Sequence, residues 1–146
     1  MPELHTIRLH GPWNAKVLSN LNQATTDDFN LEKRVKIPSS WHDWLGPSFA
    51  GQVSYERTFN RPTRLDADQK VWLVVEAVDH LATIFLNGEE LGAMKFGGLP
   101  LRVDVLAMLQ PANRLRIEIS SDPSGSSKEN PSSAGGLIGS VRLEIE

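Results

Sequence analysis

Along most of this chain apolar residues recur at every second position, the period of a strand with one buried face. In "TIRLH" Ile7 and Leu9 share a face, in "VSYERTF" Val53, Tyr55 and Phe59 share one, and in "LRVDV" Leu101, Val103 and Val105 do. The alternation returns in "RLRIEIS" and in the closing "SVRLEIE". "KVWLVVEAV" is apolar on both faces apart from Glu76, the composition of a strand inside a sheet. The pattern predicts about eight or nine strands and one helical turn, "VLAMLQ", stopped by Pro111.

The turns agree with that division. Asn87-Gly88 in "LATIFLNGEELG" is the pair favoured by type I′ hairpins, whose two central residues need positive φ. "PTRLDADQ" and "QPANR" supply Pro, Asp and Asn between other strands. Short strands at regular turn spacing predict an all-β fold, a sandwich or jelly roll of two antiparallel sheets. At 146 residues the chain is expected to be one domain, 1–146, and folding at that size hides roughly 68–70% of the unfolded surface. The segment Ser120 to Gly136 has only Ala134 from the apolar set; a loop of that length in a compact domain is usually functional or disordered.

Composition removes several functions. No cysteine means no thiolate metal site, thiol nucleophile or disulfide framework. A net charge of -3, with no basic block longer than Lys33-Arg34, argues against a nucleic-acid partner. No apolar run approaches the roughly 18 residues of a membrane span, and the N-terminus does not read as a secretion signal; a soluble protein, cytoplasmic by default, is expected.

Catalytic chemistry is thinly supported. His5, His10, His42 and His80 show no metal-ligand spacing, and no metal or cofactor is expected. Structural calcium held by backbone carbonyls would leave no signature in the sequence. The carboxylate pairs Asp27-Asp28, Asp66 with Asp68, and Glu89-Glu90 fall in turn-like segments, where solvent screens the pKa displacement that acid–base catalysis needs. None of the serines of 120–133 has a nucleophile-elbow context. Trp13 and Trp72 are expected in the core or between the sheets, whereas Trp41, Trp44 and Phe49 lie in a loop-like stretch where a flat ring suits the C–H face of a sugar, packing under the loop being the favoured reading for Trp41 and the equal alternative for Trp44. Arg57 shares the face of Tyr55 and Phe59, so it is expected to snorkel to an edge or to pair with a carboxylate such as Glu76.

The order of signals "LHGPW", "VKIPSSW", "GQVSYERTF", "VWLVVEAVDHLATIFLNGEELG", "LPLRVDVLAMLQPANRLRIEI" and "GGLIGSVRLEI" resembles the N-terminal sugar-binding domain of glycoside hydrolase family 2, the family of the large β-galactosidases, β-glucuronidases and β-mannosidases. The resemblance implies a galactose-binding-domain-like jelly roll with an accessory, non-catalytic role, because the family's two catalytic glutamates stand on a separate barrel. Two positions depart from the β-galactosidase pattern: Ile138 stands where an aromatic residue is common, and Gln52 where an asparagine faces the active site. The family pattern also gathers three loops, which offer Trp44 and Phe96 as apolar faces and His42, Gln52, Lys95 and Asn130 as hydrogen-bonding groups. The expectation is a non-catalytic carbohydrate-binding-like module whose partner is a carbohydrate or another domain of a glycosidase. The alternative is a protein-interaction or structural sandwich that has lost sugar binding.

Overall fold

Ten strands form among the residues that the computed structural model describes, 5–9, 11, 13–20, 32–37, 51–63, 65, 68–78, 81–95, 97–120 and 139–146. They are β1 (His5–Arg8), β2 (Trp13–Asn20), β3 (Glu32–Val35), β4 (Gly51–Asn60), β5 (Val71–Val75), β6 (Leu81–Leu86), β7 (Glu89–Lys95), β8 (Leu101–Asp104), β9 (Ala112–Ser120) and β10 (Val141–Ile145). One sheet has the order β1-β10-β5-β8 and the other β3-β2-β4-β9-β6-β7, and their pairings are antiparallel. The predicted helical turn is a 3₁₀ turn at Leu106–Met108. β3 was not foreseen, because "EKRV" carries a single apolar residue, too short a stretch for alternation to register.

Alternation sends one face of each sheet to a common core. Trp13, Ala15 and Val17 of β2, Val53, Tyr55 and Phe59 of β4, and Leu115, Ile117 and Ile119 of β9 are buried with Leu73 and Val75 of β5 and Leu143 of β10. Each fully buried aliphatic side chain contributes about 1.5–3 kcal/mol. Trp13 closes one end of this core, its indole N–H donating to Leu9 O at 2.6 Å.

Trp72 corrects the expectation of a core position. β5 does lie inside its sheet, but Trp72 points outward, where its ring carries the Arg102 guanidinium 4.0 Å from the centroid and its Nε1 donates to Glu146 at 2.7 Å. Val74, also outward, is 3% exposed, although it lies between Arg142 and Arg102 in the register. Long side chains, rather than a second apolar layer, cover this face.

The Asn87-Gly88 turn closes the β6–β7 hairpin as predicted, with φ 53° at Asn87 and 87° at Gly88. Asn87 also works beyond its turn. Its amide donates to Asn113 Oδ1 at 3.0 Å and its carbonyl oxygen accepts from Arg114 N at 2.8 Å. Asn113, 2% exposed, accepts from Gln110 N at 2.8 Å and donates to Gln110 O at 2.8 Å and to Phe59 O at 3.4 Å. This knot joins β9, β4, the hairpin turn and the segment after the 3₁₀ turn. At the other end of the chain Gly139 lets β10 enter beside β5: a Cβ there would lie 2.5 Å from Ala77 N.

Two stability predictions follow from these turns and contacts. Gly88→Val, which meets open space but must adopt positive φ, is expected to lower stability by about 1–3 kcal/mol. Asn113→Ala, which strands several buried partners, is expected to cost about 3 kcal/mol. Urea titrations of the two variants check both values, and an unchanged midpoint for either refutes its placement.

Candidate functional site

Gln52 and Lys95, two of the predicted site residues, fall in one register row. Gln52 pairs with Ser120, Ser120 with Leu81, and Leu81 with Lys95. Opposed residues of antiparallel strands project to the same side, so this row crosses the open face of the six-stranded sheet, with Gln52 and Lys95 exposed at positions roughly 14 Å apart. His42, Trp44, Phe96 and Asn130 lie outside the described residues, as do Trp41, Phe49 and Ile138. The strand ends that flank residues 41–50, 96 and 121–138 are nevertheless fixed: Gly51, Lys95 and Ser120 stand at one end of the same sheet.

Toward the other end, the open face carries charge that the sequence pattern did not reveal. One row runs from Arg34 through Asn14, Glu56 and Arg116 to Phe85. Arg116 lies 4.5 Å from the Phe85 ring centroid and Arg114 reaches Glu56 at 3.3 Å. Three adjoining clefts of about 380, 430 and 260 Å³ share Glu56. Their linings contain Lys16, Arg34, Arg57, Arg114 and Arg116 against Glu56 and Glu118, a basic surplus on a chain whose net charge is -3.

Arg57 departs from the expected ion pair. It does share the face of Tyr55 and Phe59, but Glu76 is engaged by Arg142 at 3.5 Å on the open side of the four-stranded sheet. The Arg57 guanidinium instead reaches an edge of the sandwich, where its hydrogen bond is to Gly11 O at 3.4 Å, and no ion pair forms among the described residues. Burial with no compensating carboxylate holds its pKa below the ordinary arginine value, although it stays protonated at neutral pH. Arg142 shows the opposite: its hydrogen bond to Glu144 chiefly raises its pKa.

No group of three or more His, Asp or Glu that would hold a metal ion occurs among the described residues, and no described helix is long and apolar enough to cross a membrane. Asp68, Glu89 and Glu90 are exposed, but only Asp68 stands in a turn: Glu89 and Glu90 open strand β7, so the turn expected at that pair is corrected to a solvated strand start.

Two antiparallel sheets packed on one core define a galactose-binding-like β-sandwich. The family model for the glycosyl hydrolase 2 galactose-binding domain-like domain matches residues 42–138, and the chain belongs to that family. This is an accessory domain of the enzymes concerned and is not their catalytic part. No curated protein sequence matches. Among solved structures, the fold is similar to that of the FMN-binding β-glucuronidase from Faecalibacterium prausnitzii L2-6, with TM-score 0.74 and 24% identity, covering 97% of this chain and 22% of that one. The β-glucuronidase from Bifidobacterium dentium gives TM-score 0.72 and 21% identity over 97% of this chain and 30% of that one. A putative β-galactosidase from Bacteroides fragilis gives 0.75 and 20% over 97% and 23%. This chain thus spans less than a third of the length of each of these three proteins.

Because Arg57 is desolvated without an anionic partner, Arg57→Met is expected to leave the domain equally stable or to stabilise it by up to about 1 kcal/mol, the pattern of a residue not kept for stability. Thermal unfolding of the two proteins checks this, and a loss of more than about 2 kcal/mol would make Arg57 a structural residue instead.

Proposed function

We propose that the domain is a non-catalytic carbohydrate-contacting module of a larger family 2 glycosidase, and that its sugar contacts lie at the end of the six-stranded sheet where Gln52 and Lys95 share a row. The observation that carries this reading is the convergence of strand ends. β4 begins, and β7 and β9 end, at the same edge, so the chain segments containing His42 and Trp44, Phe96, and Asn130 leave the sheet as neighbours. Loops held by a rigid sheet are where binding groups collect. Aromatic faces with amide, imidazole and ammonium donors form the mixture that a sugar needs.

The affinity expected of such an open, wet edge is a Kd of about 1 mM, or about -4 kcal/mol. Titration of the isotope-labelled chain with galactose and with short oligosaccharides, followed by amide shifts, tests the reading. Saturable shifts at Gln52, Leu81, Lys95 and Ser120 support it. Shifts confined to the hairpin end around Gly88 overturn the placement, and no response to any sugar favours the alternative of a sandwich that serves only protein contacts. The same protein is expected to release no nitrophenol from nitrophenyl galactoside, glucuronide or mannoside; release that is lost on mutating a residue of this chain would refute a non-catalytic role.

A further inference from the structure

The cleft at the opposite end of the open face has a composition of its own. It measures about 380 Å³ and is lined by Asn14, Arg34, Glu56, Arg57, Thr58 and Arg114 together with the buried Trp13. Thr58 stands six residues along β4 from Gln52, roughly 20 Å from the row of Gln52 and Lys95. Of the three guanidinium groups, Arg114 is occupied by Glu56. Arg34 makes no ion pair among the described residues, and Arg57 has only its long bond to Gly11 O. Two cations therefore line one small space with most of their donors free of protein partners, which leaves both able to take up an anion.

We propose that this cleft binds the carboxylate of a uronic-acid sugar between Arg34 and Arg57, with the sugar hydroxyls donating to Glu56 and meeting Asn14 and Thr58. Guanidinium forks match a carboxylate in plane and spacing. They match phosphate and sulfate equally, and Glu56 makes the distinction: its charge repels a dianion more than a monoanion, and its oxygens accept from the several hydroxyls of a sugar ring. The cleft has space for a sugar ring, and its polar lining suits a ligand hydroxylated on its rim. Among the described lining residues the one aromatic, Trp13, is fully buried, and the nearby Phe85 already carries Arg116. The proposal takes from the preceding reading only that the ligand is a carbohydrate. Its site and its charge requirement are separate, so either can fail alone.

Galacturonate, galactose, inorganic phosphate and a hexaglutamate peptide, each titrated into the labelled 146-residue chain, test it. Galacturonate is expected to shift the amides of Asn14, Arg57 and Thr58 saturably, about tenfold more tightly than galactose or phosphate, and to weaken several-fold as salt is raised from about 50 to about 500 mM. Arg57→Gln and the exposed Arg34→Gln are each expected to weaken galacturonate about fivefold or more with little change in melting temperature. If Arg57→Gln unfolds the chain, Arg34→Gln alone carries the comparison. Equal response to galactose and galacturonate, tighter binding of phosphate or hexaglutamate, or galacturonate shifts unchanged in Arg34→Gln would overturn the proposal. Sugar shifts at Gln52 and Lys95 with a silent cleft would also overturn it while leaving the loop-end reading intact.

Discussion

The Asn113 side chain is the constraint on which the hairpin end of this sandwich depends. A buried amide must find partners for both its donor and acceptor atoms or pay their desolvation, and here each partner belongs to a different part of the chain. Phe59 O fixes β4 against β9, Gln110 fixes the entry into β9, and the Asn87 amide fixes the hairpin turn. Asn87 then carries the constraint onward by donating to Met108 O at 3.3 Å. Asn87 combines the positive φ that the turn needs with a side-chain amide bonded to Asn113, Met108 and Arg114, so a local turn preference and a long-range polar network meet in one residue. The rim of the cleft that contains Arg114 is held by the same knot, since Arg114 N is bonded to Asn87 Oδ1.

Much of this fold was legible because the two signals involved are local. Period-two alternation assigned the inner faces of β4, β8, β9 and β10 correctly, and the Asn-Gly pair located the hairpin. The misreading of Trp72 has a physical cause. "VWLVV" is apolar on both faces, which normally means two apolar layers, whereas this sheet covers its outer face with the stems of Arg102 and Arg142 and a ring-stacked guanidinium. Alternation reports what a residue needs, burial, and not which chemistry provides it.

The site was less legible because its geometry is non-local. Nothing in the spacing of Gln52 and Lys95 says that they share a row; that follows from β9 and β6 lying between them. The likeness to family 2 domains supplied the grouping of loops, of which the described strands carry only Gln52 and Lys95. Arg57 shows the opposite failure. Its inward direction was plain from alternation, but the partner assigned to it, Glu76, turns to the far side of the other sheet, where Arg142 takes it. Charge pairing across a sandwich depends on which face each strand shows, and strand order decides that.

The two open faces resolve their charges in contrasting ways, and that contrast directs attention to function. On the four-stranded sheet Lys70, Arg8, Arg102 and Arg142 meet Glu76, Asp104, Glu144 and Glu146, equal numbers of opposite sign, with Arg142 bonded to Glu144 at 2.7 Å and Arg102 within 3.5 Å of Glu144. Glu76, Glu144 and Glu146 are thereby engaged by Arg102 and Arg142, while Arg8 and Lys70 make no ion pair among the described residues. On the six-stranded sheet the cleft linings are predominantly basic, and the most desolvated of these cations, Arg57, makes no ion pair. A chain with a net charge of -3 has acidic groups enough to neutralise that face, yet Glu76, Glu144 and Glu146 are engaged on the opposite one. An ion pair at Arg34 or Arg57 would offer the fold little, because surface ion pairs contribute about 0–1 kcal/mol, and a guanidinium left without one keeps its donors for an anion.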